Sequence, residues 1–287
     1  KEAGDAQSYE FKAGGINLVM NYMIQDGEDM LIMDKDEKLP SNLVEEHLRY
    51  LYFNDRVAFT LANHIYDPMD TWWFPRILGK GVNFHWPHYQ TDRTNYRFMM
   101  FLGHGGIWKT SVLKESKWKL NDGREGAGFV EVVSEDIATS VEVRVQGGES
   151  VPFWEALENS LLAKSGLAFK KQITDGGYYG VFTPDVTAVE SFPPSFSAWI
   201  IQGSKWVAGT IEYVREHLFP HGKEWPFAGR SWNIFKGKVW SAPMASSEKI
   251  DITFVLNLLL GPVFLSFIVI STIYGIFYPI EAGRVQG

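Results

Sequence analysis

From Ile252 to Ile280 the chain carries no charged side chain, and Leu256 to Phe277 is almost wholly apolar. At 1.5 Å of rise per residue, such a run is long enough to cross a hydrocarbon core of about 30 Å. Soluble helices rarely go so far without charge, so the segment predicts a transmembrane helix; a buried core helix is the other reading. Gly261-Pro262 lies within it, at a kink that packing against neighbouring helices can absorb.

Ahead of that span, residues 225–240 mix Trp225, Trp232, Phe235 and Trp240 with Arg230, Lys236 and Lys238. The mixture fits a helix lying on lipid headgroups, or one docked beneath a soluble domain. The chain thus divides into a soluble part over 1–220, an interfacial segment over 221–250, a span over 251–280 and a tail over 281–287. It opens on Lys1 with neither an initiating Met nor a signal peptide, so further sequence is expected upstream.

The first 220 residues read as alternating strands and helices. Met30-Leu31-Ile32-Met33 runs directly into Asp34-Lys35-Asp36-Glu37 before Leu39-Pro40 breaks the pattern. A buried strand is predicted over the apolar run, and its period of two throws Asp34 and Asp36 to one side where it ends. Open α/β sheets bind ligands at that edge. Two carboxylates there make a hard-oxygen site suited to Mg²⁺ or Mn²⁺ with a diphosphate, although a solvated turn produces the same pattern.

Upstream, residues 10–23 predict a glycine turn feeding a helix, with Ile16, Val19, Met20 and Met23 on its apolar face and Lys12 ahead of Gly14-Gly15. A cation beside close-approaching backbone suits a phosphate; a surface lysine is the commoner meaning. Downstream, a helix over roughly 41–52 and a strand over Val57–Leu61 complete a βαβ unit. His85 and His88 lack the helical setting that would place an i, i+3 pair on one face, and they read as packing or surface histidines.

Three glycines flank one histidine in Gly103-His104-Gly105-Gly106, where backbone can approach a ligand closely or simply turn. Val130–Val133 predicts a strand that ends at Ser134-Glu135-Asp136, with Ser134 capping the next helix and both acids at the favourable end of its dipole. Residues 149–172 have the pattern of an amphipathic insertion. After a strand at Tyr178–Phe182, Pro193-Pro194 ends the extended stretch and a helix opens at Ser195, carrying Gln202 and Trp206 on one face and Lys205 alongside.

In this order, the pieces resemble the membrane-integrated family 2 glycosyltransferases, a group that includes cellulose and hyaluronan synthases. Lys12-Ala13-Gly14-Gly15-Ile16-Asn17 is similar to the family's K-A-G-x-L-N, Asp34-Lys35-Asp36 to its D-A-D, and Gly103-His104-Gly105-Gly106 to its glycine-rich element. Ser134-Glu135-Asp136 resembles T-E-D, Pro193-Pro194-Ser195 resembles P-P-T/S, and Gln202-Gly203-Ser204-Lys205-Trp206 resembles Q-x-x-R-W. Lys205 stands where the family has Arg, which keeps the charge and loses the bidentate fork.

The resemblance implies an α/β fold of GT-A type, a Rossmann-like mixed sheet flanked by helices, followed by the interfacial and transmembrane segments. It implies inverting transfer of a sugar from a nucleotide-diphosphate donor to a growing glycan or a lipid-linked acceptor. Asp136 would be the base and Glu135 its orienting neighbour; Asp34 and Asp36 would hold Mg²⁺ or Mn²⁺. Lys12, Gln202 and Lys205 would contact the donor, and Trp206, Gly103, His104 and Gly105 the acceptor. Processive polysaccharide synthesis is the leading expectation, with single-sugar transfer to a lipid carrier and a non-catalytic, membrane-tethered glycan-binding module as alternatives. The expected setting is the plasma membrane with the catalytic part cytoplasmic, where accessory membrane subunits or a homo-oligomer are compatible partners.

Composition narrows the rest. A net charge of -7 argues against nucleic acid as a partner, and the absence of cysteine excludes disulfides and thiolate metal sites. The 15% aromatic content, with 11 Trp, suits sugar stacking, a membrane interface or an ordinary aromatic core.

Overall fold

The computed structural model describes residues 11–67, 99–146 and 177–213, with residues 73–76, 79–80, 83, 87, 90–91, 94, 215–216 and 239. Among them no helix is long and apolar enough to cross a membrane. The predicted span, the interfacial stretch around Trp225–Trp240 except Val239, the insertion over 149–172, and His85 and His88 lie outside the described residues.

In chain order the elements are α1 (Phe11–Tyr22), β1 (Met30–Ile32), α2 (Leu43–Leu51), β2 (Val57–Tyr66), β3 (Gly106–Trp108), α3 (Thr110–Glu115), β4 (Lys117–Lys119), β5 (Glu125–Ala127), α4 (Glu135–Val145), β6 (Tyr179–Glu190) and α5 (Phe196–Tyr213). The main sheet has the order β1-β3-β2-β6, and β4 and β5 form a separate hairpin. β3 is antiparallel to both β1 and β2, while β2 and β6 are parallel. The strands β1, β2 and β6 therefore point the same way, and their carboxyl ends share one edge.

Helices cover both faces because successive side chains of a strand point to opposite sides. On one face, Phe59, Leu61, Trp108 and Phe182 pack with Ala13 and Met20 of α1 and Val143 of α4. Its centre is aromatic: Phe59 stacks on Trp108 at 4.3 Å, and Phe101 and Phe129 meet Trp108 edge-on at 5.3 and 5.2 Å. Contacts of this kind contribute roughly 0.5–1.5 kcal/mol each beyond burial. On the other face α2 lays Leu43 against Ala62, Val186 and Ala188, and Leu51 against Val57 and Ile107. His47 of the same helix is buried and shares a 2.6 Å hydrogen bond with Thr60.

Four details differ from the sequence expectations. The strand β1 ends at Ile32, so Asp34 and Asp36 lie in the turn that follows it, closed by a bond from Glu37 N–H to Asp34 O. Gly14 and Gly15 are inside α1, which buries Ala13, Asn17 and Met20 and leaves Val19 and Met23 exposed. Residues 130–133 form no strand. Their neighbourhood satisfies its backbone with side chains: Asn17 brackets both polar groups of Phe129, Thr139 Oγ1 accepts from Val130, and Glu212 accepts from Val133. Ser134 occupies the N-cap of α4, but its hydroxyl makes no capping bond.

Among the described residues, two short bridges cover the outer side of β6, the edge strand of the sheet. Met99 pairs with Gly180, and Lys38 exchanges both backbone bonds with Val189. The second bridge fixes the acidic turn beside the end of β6. Similarly, Gly105 O accepts from Ala62 N at 2.8 Å and ties the glycine loop to β2.

Candidate active site

The common carboxyl edge of β1, β2 and β6 thus gathers the turn Asp34–Glu37, the second half of β2 and Glu190, with the glycine loop beside them. Two groups of side chains form there, one on each side of that loop.

The first group joins Lys12, Asp34, Gly103 and Asp136. Lys12 Nζ donates to Asp34 Oδ1 and to Gly103 O, each at 2.7 Å. Gly103 has φ +91°, and a Cβ placed on it would lie 3.3 Å from Asp136 Oδ2 and 3.8 Å from Lys12 Nζ. The positive φ is what favours glycine here, and the bare backbone leaves the carboxylate and the ammonium uncrowded beside the loop. Asp136 sits in the first turn of α4, where its Oδ1 accepts from Ile137 N at 2.8 Å.

Burial raises Asp136 to about 6, against the opposing pull of the Ile137 N–H, Lys12 and His104. Its neighbour Glu135 is raised to about 7, by burial first and then by the charge of Asp136. Repulsion between the two keeps both from ionising at once, so the pair releases its protons in separate steps.

The second group joins Glu37, His64, His104 and Glu190. The Glu37 carboxylate is 1% exposed and His64 is 2% exposed; His104 and Glu190 reach solvent at 18% and 23%. Glu37 Oε1 lies 3.4 Å from His104 Nδ1 and 3.7 Å from His64 Nδ1, and His104 Nε2 lies 3.6 Å from Glu190 Oε2. Glu37 Oε1 and His104 Nδ1 are buried without a hydrogen bond. Burial, joined by the charges of His104 and His47, holds His64 well below its usual value. His104 is raised: burial opposes its charge, and Glu37, Glu190 and Asp34 outweigh it. Burial raises Glu190 to about 7, with relief from His104 and further push from Glu37, Asp36 and Asp34. Glu37, His64 and His104 offer ligand atoms within 4.8 Å of one another, so they could hold a metal ion.

Both groups fall where an α/β sheet binds ligands. The family model described as glycosyl transferase family group 2 matches residues 30–280. The chain belongs to that family. No curated protein matches the chain. Family membership makes the protein a glycosyltransferase, which implies a nucleotide-sugar donor and a glycan acceptor, and the mixed sheet flanked by helices fits a GT-A fold.

Within this glycosyltransferase, Lys12, Asp34, Gly103 and Asp136 come together although Lys12 precedes the matched region. Asp36 is exposed at the tip of its turn, and Glu135 is buried beside Asp136. His104 and Gly105 face Glu37 and His64. Gln202, Lys205 and Trp206 are exposed on α5, Trp206 at 52%, and no hydrogen bond or ion pair ties them to the carboxylates among the described residues.

The other end of α5 is anchored next to Asp136. Gly209 packs so closely on Ser134 that a Cβ would collide with its hydroxyl, and Glu212 Oε2 accepts from Val133 N at 2.8 Å. Sequence reasoning missed Glu37, His64, Glu190 and Glu212 as contributors to this edge. Glu37 carried a signal, as a third acid directly after Asp34 and Asp36; the others are brought in by sheet register and helix docking alone.

Proposed function

We propose that the protein is an inverting glycosyltransferase that moves a sugar from a nucleotide-diphosphate donor to the hydroxyl of a growing glycan at a membrane, building polysaccharide processively. The observation that carries this reading is the convergence of Lys12 and Asp136 on the backbone of Gly103. A cation for an anionic donor and a carboxylate poised near 6 stand on one bare stretch of loop, as in-line displacement requires.

In this reaction Asp136 takes the proton of the acceptor hydroxyl as its oxygen attacks the anomeric carbon from the side opposite the leaving group. The nucleoside diphosphate departs and the anomeric configuration inverts. Glu135 is the orienting neighbour of Asp136, and Lys12 offers its ammonium to the donor. Gln202 and Lys205, exposed on α5, meet the diphosphate, and Trp206 offers a flat face to the acceptor ring.

Asp34 and Asp36 fit a divalent cation by donor chemistry: both are hard-oxygen ligands on an open turn, and Asp34 commits one oxygen to Lys12. They would hold Mg²⁺ or Mn²⁺, which when bound offsets the charge on the departing diphosphate. Residues 221–250 would rest on the bilayer and 251–280 would cross it, with the catalytic part in the cytoplasm at the plasma membrane and accessory subunits or further copies alongside.

The direct test is Asp136→Asn in the full-length protein in membranes. Transfer should fall by roughly 10²–10⁴ while nucleotide binding stays within about twofold. Robust turnover by that variant would remove Asp136 from the role. Sizing the product separates a polymer from a single added sugar.

A further inference from the structure

The second group has features that ion pairing alone does not account for. The contacts from Glu37 Oε1 to the Nδ1 atoms of His104 and His64, 3.4 and 3.7 Å, are long for hydrogen bonds. They suit the edges of a coordination shell: ligands at 2.0–2.1 Å in tetrahedral array stand about 3.3 Å apart. Glu37 Oε1 and His104 Nδ1 are both buried without a hydrogen bond, a costly arrangement for polar atoms at a place where the loop could have closed over them.

The surroundings hold these atoms in place. Glu37 is fixed through its other oxygen, Oε2, which accepts from Asp34 N at 3.3 Å. Glu190 Oε2 faces the far nitrogen of His104, the place of a carboxylate that orients a metal-bound imidazole from behind. Gly105, at φ +67°, keeps the space clear, since a Cβ there would lie 2.5 Å from both Glu37 Oε1 and His64 Cε1.

We propose that Glu37, His64 and His104 form a binding site for a transition-metal cation of the Zn²⁺ class, with Glu190 orienting His104, separate from the hard-oxygen pair Asp34 and Asp36. Two imidazoles and one carboxylate favour a borderline cation over Mg²⁺. Three protein ligands leave a fourth position for water or a substrate oxygen, the pattern of an open rather than a closed site. The site stands whether or not the transfer reaction proposed above is right.

The test uses Co²⁺ as the probe, because its visible spectrum reports tetrahedral nitrogen and oxygen ligation directly. The full-length protein, stripped by chelator and dialysed, is titrated with Co²⁺ and then with Zn²⁺ in competition, and bound metal per chain is measured. The expected result is one Co²⁺ per chain with an intense tetrahedral spectrum that Zn²⁺ displaces. Glu37→Gln and His104→Ala should weaken binding by about 100-fold or more, and Glu190→Gln by about 10–100-fold. Asp36→Asn and Asp136→Asn should keep the spectrum, which separates this site from the donor cation and from the catalytic base.

Circular dichroism checks that each variant is folded. Because His104 is partly exposed, His104→Gln serves as a milder substitution should His104→Ala unfold. Absence of bound Co²⁺ in the wild-type protein overturns the proposal, leaving a cluster held by a protonated His104 between two carboxylates. Loss of the spectrum in Asp36→Asn also overturns it, since the cation would then belong to the acidic turn.

Discussion

On one side of the glycine loop, Lys12 reaches Asp34 and the Gly103 carbonyl at 2.7 Å, with the lysine 38% and the aspartate 43% exposed. On the other, one residue along, His104 Nδ1 and Glu37 Oε1 meet at 3.4 Å, with the carboxylate 1% exposed and neither atom hydrogen-bonded. Lys12 and Asp34 are paired and open to solvent; the second group is closed and incompletely paired. Exposed ion pairs contribute little to stability, whereas buried charge that lacks good partners is expensive. The difference teaches that the open side can exchange partners at little cost, and that the closed side costs stability to maintain.

The largest effect that would break this comparison comes from the loop itself. Gly105→Ala forces an L side chain into a left-handed conformation and into Glu37 and His64, and should lower stability by about 2–4 kcal/mol in thermal melting. Gly103→Ala meets its nearest atom at 3.3 Å, and its cost should stay near 1–2 kcal/mol, with the loss showing chiefly in transfer rate. Equal melting losses in the two variants would erase the distinction between the groups.

Titration gives the next effect. Glu190 is an acid raised from 4.5 to about 7, so between those values the folded chain binds a proton that the unfolded chain has released. Its contribution favours folding at acidic pH and is lost as pH rises from about 4.5 to 7. In chelator, Glu190→Gln should therefore stabilise the protein by about 1–3 kcal/mol at pH 8 relative to wild type and bring no gain at pH 4. The proposed base behaves differently: with Asp136 near 6, the transfer rate should fall about tenfold per unit below pH 6 and level off above it.

The smallest effect on stability belongs to the open side. Lys12→Met should change stability by less than about 1 kcal/mol, because both partners are more than a third exposed, while weakening donor binding in a nucleotide titration. A large stability loss there would mean that the pair is structural.

The open group was legible in the sequence because each member sits in a local pattern: Lys12 before its glycines, Asp34 after an apolar run, Asp136 beside Glu135. The βαβ reading was legible too, yet nothing local announced that β3 inserts antiparallel between β1 and β2. Residues 130–133 had the composition of a strand, but Asn17, Thr139 and Glu212 supply the partners a neighbouring strand would have given. The apolar face of α1 turned out rotated because Asn17, a polar residue, is buried where it can bond the backbone of Phe129. His64 and Glu190 had no local signal, since register between β2 and β6 is a long-range property.

The bridge between Lys38 and Val189 also bears on how motion at this edge would be observed. Its two amides lock the turn that carries Asp34, Asp36 and Glu37 onto the last residues of β6. Lifting the turn to admit or release a ligand would break those bonds before any in the central sheet. The amide protons of Lys38 and Val189 are thus built-in reporters: their exchange with solvent deuterium should slow when a ligand holds the turn down, while that of Phe59 stays fixed.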